Sequence, residues 1–213
     1  MRIIERLALD DDRLLQIVRT MQALLAVVSL YALVTVNWGL VINAGVSLAI
    51  TFLPGYLQDD LRLPMNAGLA LWITSAVFFH AVGALGPYAW FGWYDSVTHA
   101  LSASIVAGAG YTVARALDVH YDDVSIPPGY RFGFVLVFVL AFGVLWEILE
   151  FASAGVAGVL GGQPVLAQRG ASDIVFDLFY NTVGGVLVAA LGTARLGPLS
   201  NALAGRLDER TGR

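Results

Sequence analysis

An all-α, polytopic transmembrane bundle of about six spans is the fold class this sequence predicts, and three observations predict it. Hydrophobic residues fill 58% of the 213 positions and charged residues 13%, with a mean hydropathy of +0.73, a balance that belongs to integral membrane proteins. Apolar stretches near the length needed to cross roughly 30 Å of hydrocarbon recur six times. The arginines collect in alternate connections, as cytoplasmic loops require.

In chain order, residues 1–18 carry Arg2, Arg6, Arg13 and the acids Asp10, Asp11 and Asp12. With no secretory apolar core and no small-residue cleavage site, they are expected to form a cytoplasmic segment. The transmembrane domain is expected over 19–193, with spans at 19–37, 40–55, 66–86, 95–116, 131–153 and 173–193, and a cytoplasmic tail over 194–213. Asn37-Trp38-Gly39 makes a tight first turn, and Pro54-Gly55 through Pro64 forms a polar link. The aromatic run at 86–94 suits a membrane interface. Residues 117–130, with His120, Asp122, Asp123, Pro127 and Pro128, read as a solvated loop. The Gly-rich stretch 154–172 is a candidate lid over the membrane surface.

The arginines test this arrangement. With six spans and a cytoplasmic N-terminus, Arg2, Arg6, Arg13, Arg19, Arg62, Arg115, Arg131, Arg195, Arg206, Arg210 and Arg213 fall inside and Arg169 alone falls outside. Merging the first two spans would invert every later loop and destroy the asymmetry. Both termini are therefore expected in the cytoplasm, for a multi-pass protein of the cell (plasma) membrane.

Some chemistry is excluded outright. The chain has no Cys, hence no disulfide, thiolate metal site or cysteine nucleophile. All 12 basic residues are Arg, which removes a lysine nucleophile or Schiff base. A formal charge of −4 with no basic cluster argues against nucleic acid as a partner.

The fifth span carries two acids, Glu147 and Glu150, at a depth where an ionised group must be paired, neutralised or hydrated. Given the topology, His80 falls in the outer third of the third span. Asp95 and His99 open the fourth, and Asp173, Asp177 and Asn181 open the sixth. Asp95 and His99 are spaced i, i+4; Glu147 and Glu150 i, i+3; Asp173, Asp177 and Asn181 i, i+4, i+8, so each set shares one helix face. The expectation is an outward-facing intramembrane pocket of carboxylates and imidazoles without Arg, whose acids share protons or bind cations.

Each residue also has a purely structural reading. Asp95 and Asp173 stand where helix-capping acids stand. His80 suits a satisfied core histidine, Asn181 an interhelical hydrogen-bond partner, and His120 a solvated loop residue. Trp146, Phe151, Gly83, Gly108, Gly110, Gly184 and Gly185 read as packing elements.

Taken together, His80 with Gly83, TrpTyrAspSerValThrHis at 93–99, LeuTrpGluIleLeuGluPhe at 145–151 and Asp-x-x-x-Asp at 173–177 resemble the YjdF-like family of uncharacterised inner-membrane proteins. The resemblance covers about 66–190. It implies that His80, Asp95, His99, Glu147, Glu150, Asp173 and Asp177 are family positions. Arg169-Gly170 and Ser172 depart from the Gly-Asp pair and Trp usual before the last helix.

Three function classes follow. The first is a metal-dependent enzyme acting on a lipid or isoprenoid substrate. His80, His99, Glu147 and Asp177 would ligate a divalent Zn, Mn or Fe ion. Glu150 would be the catalytic base beside Glu147 and Asp177, with Asp95, Asp173 and Asn181 in support. The second is a proton- or cation-coupled transporter, against which stands the absence of acids in the inner half of any span. The third is a non-catalytic membrane protein whose polar core fixes helix register.

Overall fold

The computed structural model describes residues 10–121, 123–160, 164–166 and 170–211. Within them the chain is helical throughout its ordered elements: α1 (Asp11–Val34), α2 (Trp38–Ile50), α3 (Leu53–Asp59), α4 (Ala67–Gly83), α5 (Pro87–Trp90), α6 (Tyr94–His120), α7 (Pro128–Leu160), α8 (Ala171–Leu191) and α9 (Thr193–Thr211). Five segments are long and apolar enough to cross a membrane: α1, α2 with α3, α6, α7 and α8; α4 is a shorter apolar helix. These six match the six expected spans. Large apolar side chains such as Val34, Phe151 and Val159 stand exposed on their outer faces, as in a bundle bathed by lipid.

Local chemistry sets the helix starts. The first N–H groups of a helix lack intrahelical acceptors, and side-chain oxygens supply them. Asp10 Oδ1 accepts from the Arg13 N–H at 2.8 Å, Asn37 Oδ1 from Leu40 at 3.1 Å and Asn66 Oδ1 from Leu69 at 2.9 Å. Pro54, Pro87 and Pro128 occupy early helical positions, where a missing N–H costs nothing.

The helices pack in two groups. α1, α2 and α4 form one; α6, α7, α8 and α9 form the other, and α4 against α6 joins them. The apolar core at the join is built from Leu69, Ala103, Ala107, Tyr111, Val135, Val139 and Leu196. α6 and α8 make the most extensive contact, because Gly184 admits the backbone of its neighbour. A Cβ there would meet the Ala100 carbonyl oxygen at 2.1 Å. α2 and α7 do not pack closely among the described residues, which leaves a cleft between the two groups.

Two expectations need correction. The stretch 117–130 is no loop at its start: α6 continues to His120, and α7 begins at Pro128. His120 is buried, not solvated, and its Nδ1 bonds to Asp208. The pairing spans 88 positions of sequence, which no local pattern reveals. The C-terminal segment is helical over Thr193–Thr211, and α9 docks on α6, with Leu196, Ser200 and Ala204 buried. Nearby, Asp118 accepts from the Ile126 N–H at 2.7 Å and pairs with Arg115 and Arg131. The guanidinium of Arg131 stands 5.7 Å from the centre of the Tyr111 ring. At 1.5 Å rise per residue this charged network lies roughly 28 Å along α6 from His99.

The expected lid region begins as helix, since α7 runs on to Leu160. Of the remainder, Pro164–Leu166 folds back on the bundle, and the Leu166 N–H donates to Ser153 Oγ at 3.0 Å. Arg169, the expected outer cation, lies outside the described residues.

Candidate functional site

The same end of the bundle receives the C-terminal end of α4, the N-terminal ends of α6 and α8, and the second half of α7. These segments carry His80, Asp95 with His99, Asp177 with Asn181, and Glu147 with Glu150. Glu147, Glu150, Asp177 and Asn181 are all buried. Separate positions in sequence thus converge at one depth, as lipid requires of polar groups it will not solvate.

His99 stands at the centre. Its Nε2 is 3.6 Å from Asp95 Oδ1 and 3.6 Å from Asp177 Oδ1. The i, i+4 spacing on α6 brings the first carboxylate, and the Gly184–Ala100 approach brings α8 close enough to supply the second. One donor atom from each residue lies within 4.8 Å of the others. Both 3.6 Å separations exceed hydrogen-bond length. They match the edge of a tetrahedral metal site, about 3.4 Å when the ligand bonds are about 2.1 Å.

This set differs from the expected ligands. Asp95 joins His99 and Asp177, whereas among the described residues His80 and Glu147 stand outside the group. His80 is instead held at both ring nitrogens: Nδ1 lies 3.0 Å from the Tyr88 hydroxyl and Nε2 3.2 Å from Asn43 Nδ2. The proton order follows along the chain. Thr98 donates to the Asp95 carbonyl at 2.8 Å, so it accepts from the Tyr88 hydroxyl at 3.3 Å. With that order Tyr88 accepts from His80 Nδ1–H and Nε2 faces the Asn43 amide, so both ring nitrogens are engaged. Gly83 makes this reachable, for a Cβ there would sit 2.4 Å from the Tyr88 ring.

Glu150 Oε1 accepts from Trp146 Nε1 at 2.9 Å, and the Trp146 ring packs edge-on against His80 at 5.3 Å. Glu150 lies within electrostatic reach of Glu147, Asp177 and Asp95. Asp173 sits one turn before Asp177 in the first turn of α8, and Asn181 one turn after, against Gly143. No described Arg lines either cavity at the site.

A small cavity of about 260 Å³ is lined by Asp95, His99, Glu150, His80, Asn43 and Tyr88, among others. A second cavity of about 410 Å³ shares His80, His99 and Asn43 with it. Its walls are apolar, with Val46, Ile50, Val77, Val106, Val139 and Phe142 among them. Val165 and Leu166 line both.

The family described as predicted membrane protein (DUF2238) matches residues 17–197. The chain belongs to that family. The match takes in every residue of the candidate site and, apart from residues 11–16 of α1, the helices that could span a membrane. Comparison with curated proteins and with solved structures returned no match.

Asn43, Tyr88, Thr98 and the Trp146 N–H are functional groups that sequence reasoning passed over. Asn43 carried a usable signal, being an amide within the apolar run 40–55. Tyr88 was hidden among interfacial aromatics.

Proposed function

We propose that the chain is a metal-dependent membrane hydrolase acting on a lipid or isoprenoid head group, with Asp95, His99 and Asp177 as the protein ligands of one divalent ion. The observation that carries this reading is the equal 3.6 Å approach of two carboxylates, the half-buried Asp95 and the buried Asp177, to His99 Nε2. Two carboxylates and an imidazole suit Zn²⁺, Mn²⁺ or Fe²⁺, and the cation meets a concentration of acids that no described Arg neutralises. A bound divalent ion would supply Lewis-acid polarisation at this site. Glu150, on the wall of the same small cavity, would take a proton from water as its oxygen adds to the ester or phosphoester, and would return that proton to the alkoxide released when the C–O or P–O bond breaks. Glu147, Asp173 and Asn181 orient these groups. The resemblance to the YjdF-like family, carried by the same acids and histidines, supports this set.

The arginine asymmetry supports a site on the exoplasmic side of the plasma membrane with both termini in the cytoplasm. Arg115, Arg131 and Arg206 sit at the end of the bundle remote from His99. The test is metal content of detergent-purified protein. About one equivalent is expected in wild type and far less in His99→Ala and Asp177→Asn. A metal-free wild type whose melting ignores added Zn²⁺, Mn²⁺ and Fe²⁺ removes the enzyme reading.

A further inference from the structure

Below His99, α6 turns Ser102, Ala103 and Val106 to the cavity of about 410 Å³, and below Asp177, α8 turns Asn181 to it. Ser102 is three residues past His99 and Asn181 four past Asp177, so both stand one turn, about 5 Å, deeper than the His99–Asp177 contact. Helical hydroxyls in this protein commonly donate to the backbone of the preceding turn, as those of Thr98, Ser104, Thr182 and Ser200 do. Ser102 does not. Among the described residues neither its hydroxyl nor the Asn181 amide has a hydrogen-bond partner. Unlike Asn43 Oδ1 and Thr74 Oγ1, which are sealed, both keep accessible surface on the cavity they line. Gly143 makes room for the amide, since a Cβ there would stand 2.8 Å from Asn181 Nδ2. A hydroxyl and an amide left unmatched against hydrocarbon are costly. The cavity therefore suits a ligand that is apolar except at one place.

We infer that Ser102 and Asn181 bind the ester carbonyl of an acyl glycerolipid whose chain lies in the apolar cavity and whose reacting bond meets the His99 site one turn above. The Ser102 O–H and the Asn181 N–H are two donors, and one carbonyl oxygen offers two lone pairs. The group they hold is uncharged: no described Asp, Glu or Arg lines this cavity, so an ion there would be buried without a partner. In a glycerolipid the acyl carbonyl stands a few covalent bonds from the head-group ester, which is the reach of one helical turn. An isoprenoid phosphate has only hydrocarbon at that distance and leaves both side chains unmatched. Of the two substrate classes proposed above, the acyl lipid fits. Entry is lateral. A further cavity of about 930 Å³ between α2 and α7 shares Ile42, Val165 and Leu166 with the apolar one. Trp38 and Val156 stand exposed along it, so one chain passes inward through apolar surroundings while a second remains in the bilayer.

The carbonyl's place beside the reacting bond rests on the hydrolase reading above, but binding through Ser102 and Asn181 needs no metal. The test is photolabelling of the full-length protein in nanodiscs by a glycerophospholipid whose acyl chain on the central glycerol carbon ends in a diazirine. Its ether analogue, which lacks the carbonyl, and an isoprenyl phosphate with the same diazirine are compared, each with and without chelator. The ester is expected to label wild type about tenfold more efficiently than the ether, the worth of one buried hydrogen bond. Ser102→Ala and Asn181→Leu should each lower ester labelling severalfold and leave ether labelling where it was, a split that a general loss of structure does not produce. Equal labelling by ester and ether in wild type overturns the inference and leaves only water at the two side chains. Isoprenyl phosphate that labels as well as the ester overturns it too, and neither result depends on a variant folding. An ester preference that persists in chelated protein, beside a wild type that never binds metal, upholds this inference and sinks the hydrolase. Bound metal without any ester preference does the reverse.

Discussion

Gly184 and Ala100 are in backbone contact: a Cβ on Gly184 would stand 2.1 Å from the Ala100 carbonyl oxygen. This approach fixes the register of α8 against α6 and carries Asp177, two turns earlier on α8, to within 3.6 Å of His99. Any side chain at Gly184 must push the helices apart, since a carbonyl of a packed helix cannot move aside. Gly184→Ala should cost about 1–3 kcal/mol by overpacking and weaken metal retention at the same time. Gly45, on α2 with open space around it, is the control. Gly45→Ala should leave stability unchanged or raise it by up to about 1 kcal/mol. Melting in detergent with metal analysis checks both.

The His120–Asp208 pair holds α9 on α6. Replacing Asp208 by Ala leaves a buried imidazole without this partner, a loss of about 1–3 kcal/mol. Because α9 lies at the far end from His99, the expected result is faster proteolysis within 193–211 with metal content intact. Equal cleavage rates in Asp208→Ala and wild type would show that the pair does not anchor the helix.

Tyr88 gives a pH dependence. It lies between spans on α5, and burial pushes its phenol well above the ordinary value of 10.0. A raised folded value means the stability it contributes is fully present below about pH 10 and is lost as pH rises past that point, where the unfolded chain ionises first. Wild type should therefore lose more melting temperature between pH 8 and pH 11 than Tyr88→Phe. Parallel losses would mean that the phenol is no more buried in the folded protein than in the unfolded one.

Gly83 and Tyr88 make a second packing prediction. The missing side chain of Gly83 admits the Tyr88 ring, which a Cβ would meet at 2.4 Å, so Gly83→Val should displace Tyr88 and release His80 Nδ1 from its acceptor. In an imidazole-labelled NMR spectrum the shifts of His80 should move while those of His120 stay fixed. An unmoved His80 signal would contradict the proton order argued for the site.

Much of this was legible in the sequence for a physical reason: lipid penalises unpaired polar groups everywhere, so the few that occur must converge. Span lengths and helix spacing were enough to bring Asp95, His99, Glu147, Glu150, Asp177 and Asn181 to one depth. What spacing could not supply was distance across helices. Asp95, expected in a supporting place, groups with His99 and Asp177, and His80 does not, because the Gly184 approach brings α8 rather than α4 against His99. His80 is meanwhile captured by Tyr88 from a turn that looked purely interfacial. His120 was misjudged because polar neighbours in sequence suggested solvent, whereas helix α9 arrives from the far end of the chain to bury it.

The central claim is that His99, with Asp95 and Asp177, holds a metal ion. X-ray absorption at the zinc edge of the loaded protein tests it most directly. Wild type and His80→Ala should both show imidazole scattering in a shell of nitrogen and oxygen at about 2.0–2.2 Å, and His99→Ala should lose it. Imidazole scattering that survives in His99→Ala, or zinc that washes out of wild type, contradicts the account.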